Sequence, residues 1–172
     1  MTGTLEDRLV QVPIGGIAVA REPKVLTTLL GSCVGMVIQD LRHRIAVLAH
    51  VVRPDGHGSG MGPGYFADRA APAARDLAIR AGADPRQLVV RMAGGGRMTS
   101  GTLDVGARNA AAIREATYRL GMVFGGHVEG PADGGCVLFV QPATGRIAVR
   151  KLAGASLDDA AWQTLVREFA GA

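Results

Sequence analysis

Two cysteines and four histidines are the side chains with most chemical potential in this 172-residue chain. Cys33 follows Gly31-Ser32 and opens the apolar run Val34 to Gln39. His50 lies within a second such run, Ile45 to Val52, and Asp40-Leu41-Arg42-His43-Arg44 between them reads as a hairpin turn. If the hairpin closes symmetrically about Leu41-Arg42, Asp40 faces His43 and Cys33 faces His50. Facing residues on an antiparallel pair have Cβ atoms roughly 4.5 to 5.5 Å apart, so an imidazole could reach the sulfur. A free thiol is only slightly ionised near neutrality. A neighbouring histidine can take its proton and later deliver it to a leaving amine, the pairing used by cysteine hydrolases. Gly31 and Ser32 leave room for a substrate carbonyl to approach backbone N–H groups that would hold an oxyanion. The same pair also fits a small buried residue and a core histidine, and spacing alone leaves both accounts open.

The elements that must position this pair mix strands and helices without strict alternation. Residues 11 to 20 read as a short strand interrupted by glycines, 25 to 30 as a strand leading into Gly31, and 55 to 64 as a glycine loop that could form a lid or rim. A helix is predicted from Tyr65 to Ala81, broken or kinked at Pro72, and a second from Asp104 to Leu120. Further strands are predicted at Leu88 to Met92, Met122 to Phe124, Cys136 to Val140 and Arg146 to Leu152. Ser156 with Asp159 resembles a capping box that opens a terminal helix over about 156–170. Hairpins at both ends favour a single α+β domain: a mixed, largely antiparallel β-sheet or sandwich with flanking helices.

Beyond the hairpin geometry, Leu29-Leu30-Gly31-Ser32-Cys33-Val34-Gly35, with Asp40 after it and Ala49-His50-Val51 beyond, resembles the signature of the chemoreceptor glutamine deamidase family, CheD. Gly94-Gly95-Gly96 followed by Met98, Val105-Gly106-Ala107-Arg108-Asn109, and Thr144-Gly145-Arg146 extend the likeness over about residues 13–152 of the one domain, 1–172. The resemblance implies Cys33 as nucleophile, His50 as general base, and Thr27, six residues before the cysteine, as the group that orients the histidine. Thr28 points to the opposite face of a strand, so only one of the two threonines can serve the site. It implies hydrolysis of receptor glutamine to glutamate through a thioester, with release of ammonia and no cofactor. Implied partners are chemoreceptor cytoplasmic helices as substrate and a CheC-type phosphatase. Glutamyl methylester hydrolysis at the same site and a non-catalytic chemotaxis docking module are the competing readings, and a secreted deamidating toxin is disfavoured.

Two stretches depart from the family pattern. Gly126 to Gly135 replaces an aspartate, glycine-pair and Gly-Arg arrangement, and Arg53 stands before Pro54 where an apolar residue is usual, an alteration expected at the rim of the substrate cleft.

Composition narrows the classes further. Hydrophobic residues are 48% and charged residues 20%, the balance of a globular chain. The net charge of +4 is spread singly and aromatics are only 4%, so nucleic acid is a poor partner. No signal pattern or membrane span is evident, and a cytoplasmic monomer with two free thiols is expected. Cys136, in Cys-Val-Leu-Phe-Val, reads as a core residue. His43 and His57 read as solvated, and no ligand spacing supports a metal.

Overall fold

In a computed structural model, which describes residues 5–97, 104–152 and 159–170, the chain folds into two packed sheets. The elements are α1 (Leu5–Arg8), β1 (Leu9–Gln11), β2 (Ile17–Arg21), β3 (Val25–Leu30), β4 (Val34–Asp40) and β5 (Ile45–Val51). They continue with α2 (Ala67–Arg80), a 3-10 turn (Pro85–Gln87), β6 (Val89–Gly94), α3 (Val105–Arg119), β7 (Val123–Glu129), β8 (Cys136–Val140), β9 (Ile147–Lys151) and α4 (Asp159–Ala170). One sheet has the order β1-β3-β8-β9 and the other β2-β5-β4-β6-β7. Pairing is antiparallel except for β1 with β3 and β6 with β7, as expected of an α+β sandwich.

The interrupted strand predicted over residues 11 to 20 is in fact two strands in different sheets. The chain leaves β1 at Gln11, turns at Pro13 to Gly16, with Gly15 at φ 71°, and enters β2 of the other sheet. Three apolar layers result. Leu26, Leu30 and Leu138 of one sheet meet Val37, Ala46 and Leu48 of the other. On the outside, α2 and α3 cover Met36, Ile38, Val47 and Ala49. Beneath α4, Phe139 stacks on Phe169 and Trp162. Helix α2 runs on through Pro72 instead of breaking there. Its buried stripe of Ala67, Ala70, Ala71, Ala74 and Ala78 packs on the sheet. The one N–H that proline lacks falls opposite the carbonyl of exposed Asp68, which solvent can satisfy. Met98 and the Ser156 cap lie outside the described residues.

The β4–β5 hairpin is the element that matters most, and its register differs from the symmetric expectation. Asp40 pairs with Ile45, which leaves a four-residue turn, and His50 consequently lies opposite Gly35. The longer turn is held by Asp40, whose buried carboxylate accepts from the His43 backbone N–H (3.0 Å), His43 Nδ1 (2.7 Å) and the Asp84 N–H (2.8 Å). Arg44 closes the turn at φ 54°. These hydrogen bonds hold the Asp40 carboxyl below its ordinary pKa even though burial opposes the shift most strongly. His43, read as solvated, has its ring turned to Asp40.

The turn at Gly94-Gly95-Gly96 takes positive φ at Gly94 (92°) and Gly95 (74°). The Gly95 N–H donates to the Cys33 carbonyl (2.8 Å) and the Gly96 N–H to the Gly31 carbonyl (3.1 Å). A Cβ on Gly94 would lie 2.6 Å from the Cys33 carbonyl oxygen. Gly94→Ala is therefore expected to destabilise the fold by about 2 kcal/mol, through left-handed backbone strain and this clash, as urea denaturation would measure.

Candidate active site

The register is shifted by two residues from the symmetric expectation, and Cys33 and His50 still line one cleft. Gly35 is directly opposite His50, and Cys33 lies in the bend that leads into β4. Cys33, two residues before Gly35, opens onto the same cleft as the histidine. Gly35 puts no side chain between them, and a Cβ there would lie 2.6 Å from Leu138 Cδ2 of the opposing sheet. Cys33 and His50 line one cleft of about 650 Å³, together with Gly31, Ser32, Leu29 and Ile14. No hydrogen bond joins the thiol to the imidazole among the described residues. Gly31 and Ser32 stand where the sequence put them, beside the sulfur. Because Gly31 O is turned toward Gly96, the planar trans peptide directs the Ser32 N–H the opposite way.

The threonine that meets the histidine is Thr28, not Thr27. Thr28 Oγ1 is 2.8 Å from His50 Nδ1 and 2.8 Å from the Val12 carbonyl oxygen. A hydroxyl has one proton, and the Val12 carbonyl can only accept, so Oγ1 donates to Val12 and accepts from Nδ1–H. His50 is thereby held as the Nδ1–H tautomer, with Nε2 free as a base. Thr27 points the other way, toward α4, because the face of β3 that meets the second sheet carries Leu26, Thr28 and Leu30. The reading of Thr27 as the residue that orients His50 is corrected on that ground.

The backbone of His50 is as firmly tied as its ring. Its N–H donates to the Gly16 carbonyl (3.0 Å) and its carbonyl accepts from the Gly15 N–H (3.1 Å). The glycine loop predicted as a lid or rim braces this turn from behind. Gly64 N–H donates to Gly15 O (2.8 Å), and a Cβ on Gly64 would lie 2.4 Å from Gly16 O.

Burial sets the charge state of the pair. His50 is 2% exposed, and burial lowers its pKa to about 4. Burial also pushes the Cys33 thiol above its ordinary value. At neutral pH the resting pair is therefore thiol and neutral imidazole, not thiolate and imidazolium. Alkylation of Cys33 by iodoacetamide is expected to climb steadily with pH past 9. A plateau between about pH 5 and 8, the mark of a preformed ion pair, would contradict this.

A family model described as CheD chemotactic sensory transduction matches residues 52–151. The chain belongs to the CheD family. A probable chemoreceptor glutamine deamidase CheD of Methanococcus maripaludis is 33% identical over 147 residues, 83% of this chain and 95% of that protein. One from Symbiobacterium thermophilum is 41% identical over 122 residues, 65% of this chain and 74% of that protein. The chemoreceptor glutamine deamidase CheD of Thermotoga maritima is 32% identical over 145 residues, 83% of this chain and 92% of its own. Among solved structures, the Bacillus licheniformis hypothetical protein YfiH overlays at TM-score 0.44 and 14% identity, over 73% of this chain and 60% of that one.

Of the two departures from the CheD pattern, one reaches the cleft. Asp133, Gly134 and Gly135 form part of its wall. Arg53 is exposed and does not line this cleft, so the expected alteration of the rim is not found there. Two neighbours of His50 and the cleft escaped the sequence reading, the Val12 carbonyl and Ile14, while Thr28 was weighed there only as the alternative to Thr27. Ile14 is 70% exposed and Leu29 57%, an unusual pair of bare apolar side chains beside a buried base. The exposure of Ile14 follows from the sheet crossing at Pro13 to Gly16, which no local pattern announces. Cys136 is fully buried in the inter-sheet core, and His57 lies by Arg69 (3.1 Å) on the surface. No group of His, Cys, Asp or Glu among the described residues could hold a metal. No described helix is long and apolar enough to cross a membrane.

Proposed function

We propose that the chain is a chemoreceptor glutamine deamidase that works by covalent thioester catalysis. The observation that carries the reading is the Val12–Thr28–His50 relay, which leaves Nε2 unprotonated in the cleft that Cys33 shares. In the reaction, His50 Nε2 takes the thiol proton as Sγ attacks the carboxamide carbon of a glutamine side chain. Backbone N–H groups about Ser32 and Cys33 receive the developing oxyanion. The imidazolium, whose Nδ1–H stays on Thr28, gives its new proton to the departing nitrogen, and ammonia leaves. Water, deprotonated by the same Nε2, attacks the thioester; the products are a glutamate side chain and the regenerated thiol.

Family membership and the deamidase names of the relatives support this substrate. The +4 net charge suits an acidic helical surface. The reading places the protein in the cytoplasm, where receptor helices are accessible, and keeps a CheC-type phosphatase as an expected contact. Incubation with a chemoreceptor cytoplasmic fragment, followed by ammonia assay and peptide mass mapping, tests it. Specific glutamine residues should gain one mass unit; a protein that binds the fragment without altering any mass would be a docking module.

A further inference from the structure

The cleft that holds Cys33 does not end at His50. A second cleft, of about 720 Å³, shares Ile14, Leu29 and His50 with it and continues over the edge of β3 toward Trp162 of α4. Val12, Leu29, Val137 and Trp162 make its walls largely apolar. Among its lining residues Thr27 is fully buried, and the Thr27 hydroxyl has no hydrogen-bond partner among the described residues. Native folds keep few such groups, because each has given up water without replacement. Thr27 is not needed for the His50 relay, which Thr28 completes, so its polar atom is left over by the catalytic site.

We propose that this second cleft is a side-chain pocket for the same protein substrate. It takes an apolar or aromatic residue with a polar tip, which hydrogen-bonds the Thr27 hydroxyl. The proposal rests on the deamidase reading. A segment that offers glutamine to Cys33 must cross Ile14 and Leu29, which stand in the wall common to both clefts. On a helix, residues three and four positions from the glutamine share its face, so the next side chain along enters the neighbouring cleft. The volume is ample for one large side chain.

Trp162 is the single tryptophan of the chain and reports directly on the cleft. In a Cys33→Ala protein, which holds substrate without turnover, titration with the chemoreceptor fragment is expected to change Trp162 emission. Thr27→Val, which keeps the shape and removes the hydroxyl, should raise KM about three- to tenfold with kcat unchanged. It should also raise the melting temperature, since an unpaired buried hydroxyl is removed. Alanine at fragment positions three and four from the modified glutamine should abolish the difference between Thr27→Val and wild type. Unchanged emission at saturating fragment, an unchanged KM, or a response to free tyrosine but not to the fragment would each overturn the proposal. If the wild type releases no ammonia, the deamidase reading fails on that measurement alone. The pocket then stands as a receptor-binding cleft if emission still responds, and falls with the reading if it does not.

Discussion

Cys33→Ala is expected to lower deamidation of a chemoreceptor fragment by at least about 10⁴-fold, with fragment binding retained. No other group in the cleft described can form the thioester, so what remains is the small effect of binding and backbone N–H donors. His50→Ala should approach the same floor. Without Nε2, nothing takes the proton from a thiol whose burial already disfavours ionisation. Since the two side chains act on one proton, Cys33→Ala with His50→Ala should be hardly worse than either alone. The assay is ammonia release under single-turnover and steady-state conditions. Activity in Cys33→Ala within tenfold of wild type would remove the thiol from the mechanism. The pH dependence has a definite sign. Nε2 is a base only while unprotonated, so wild-type activity should persist on acidification to about pH 5 and fall as pH drops through His50's value of about 4.

The second large effect separates two adjacent residues of one type. Thr28→Val removes the acceptor for His50 Nδ1–H and the donor for the Val12 carbonyl, leaving the ring free to turn or to change tautomer. A fall of about 10²-fold in kcat is expected, comparable to losing the partner that orients a histidine elsewhere. Thr28→Ser should restore much of it, because the hydroxyl is kept. Equal loss in kcat for Thr27→Val and Thr28→Val would show that β3 presents its residues differently from the arrangement described here. An NMR measurement of His50 ring nitrogens supplies an independent check, with Nδ1 protonated in wild type and a mixture in Thr28→Val.

These predictions also mark where sequence was and was not sufficient. The strands on either side of Asp40 to Arg44 are legible as apolar runs, and so is their antiparallel pairing. Their register is not, because it depends on a turn fixed by the Asp40 carboxylate reaching Asp84, distant in sequence, and by Arg44 in a left-handed conformation. Cys33 does not face His50 as the symmetric hairpin required, yet the two residues line the same cleft. Thr27 and Thr28 were indistinguishable for another reason. Except at Leu29, the run Val-Leu-Thr-Thr-Leu-Leu is covered on one face by the second sheet and on the other by α4. A strand buried on both sides shows no alternation from which to tell its faces. The threonine that the family likeness indicated, Thr27, is not the one that meets His50.

The turn at Pro13 to Gly16 carries a mechanical implication. Ile14 stands bare at its tip, and Gly15 and Gly16 hold both backbone groups of His50. Pressure on Ile14 is thus applied to the peptide that carries the base. A receptor segment that seats an apolar residue there spends its contact energy on aligning Nε2 and not on adhesion alone. A truncated glutamine peptide that lacks this residue would accordingly turn over slowly even when saturating, which makes the enzyme deaf to stray glutamines in the surrounding proteome.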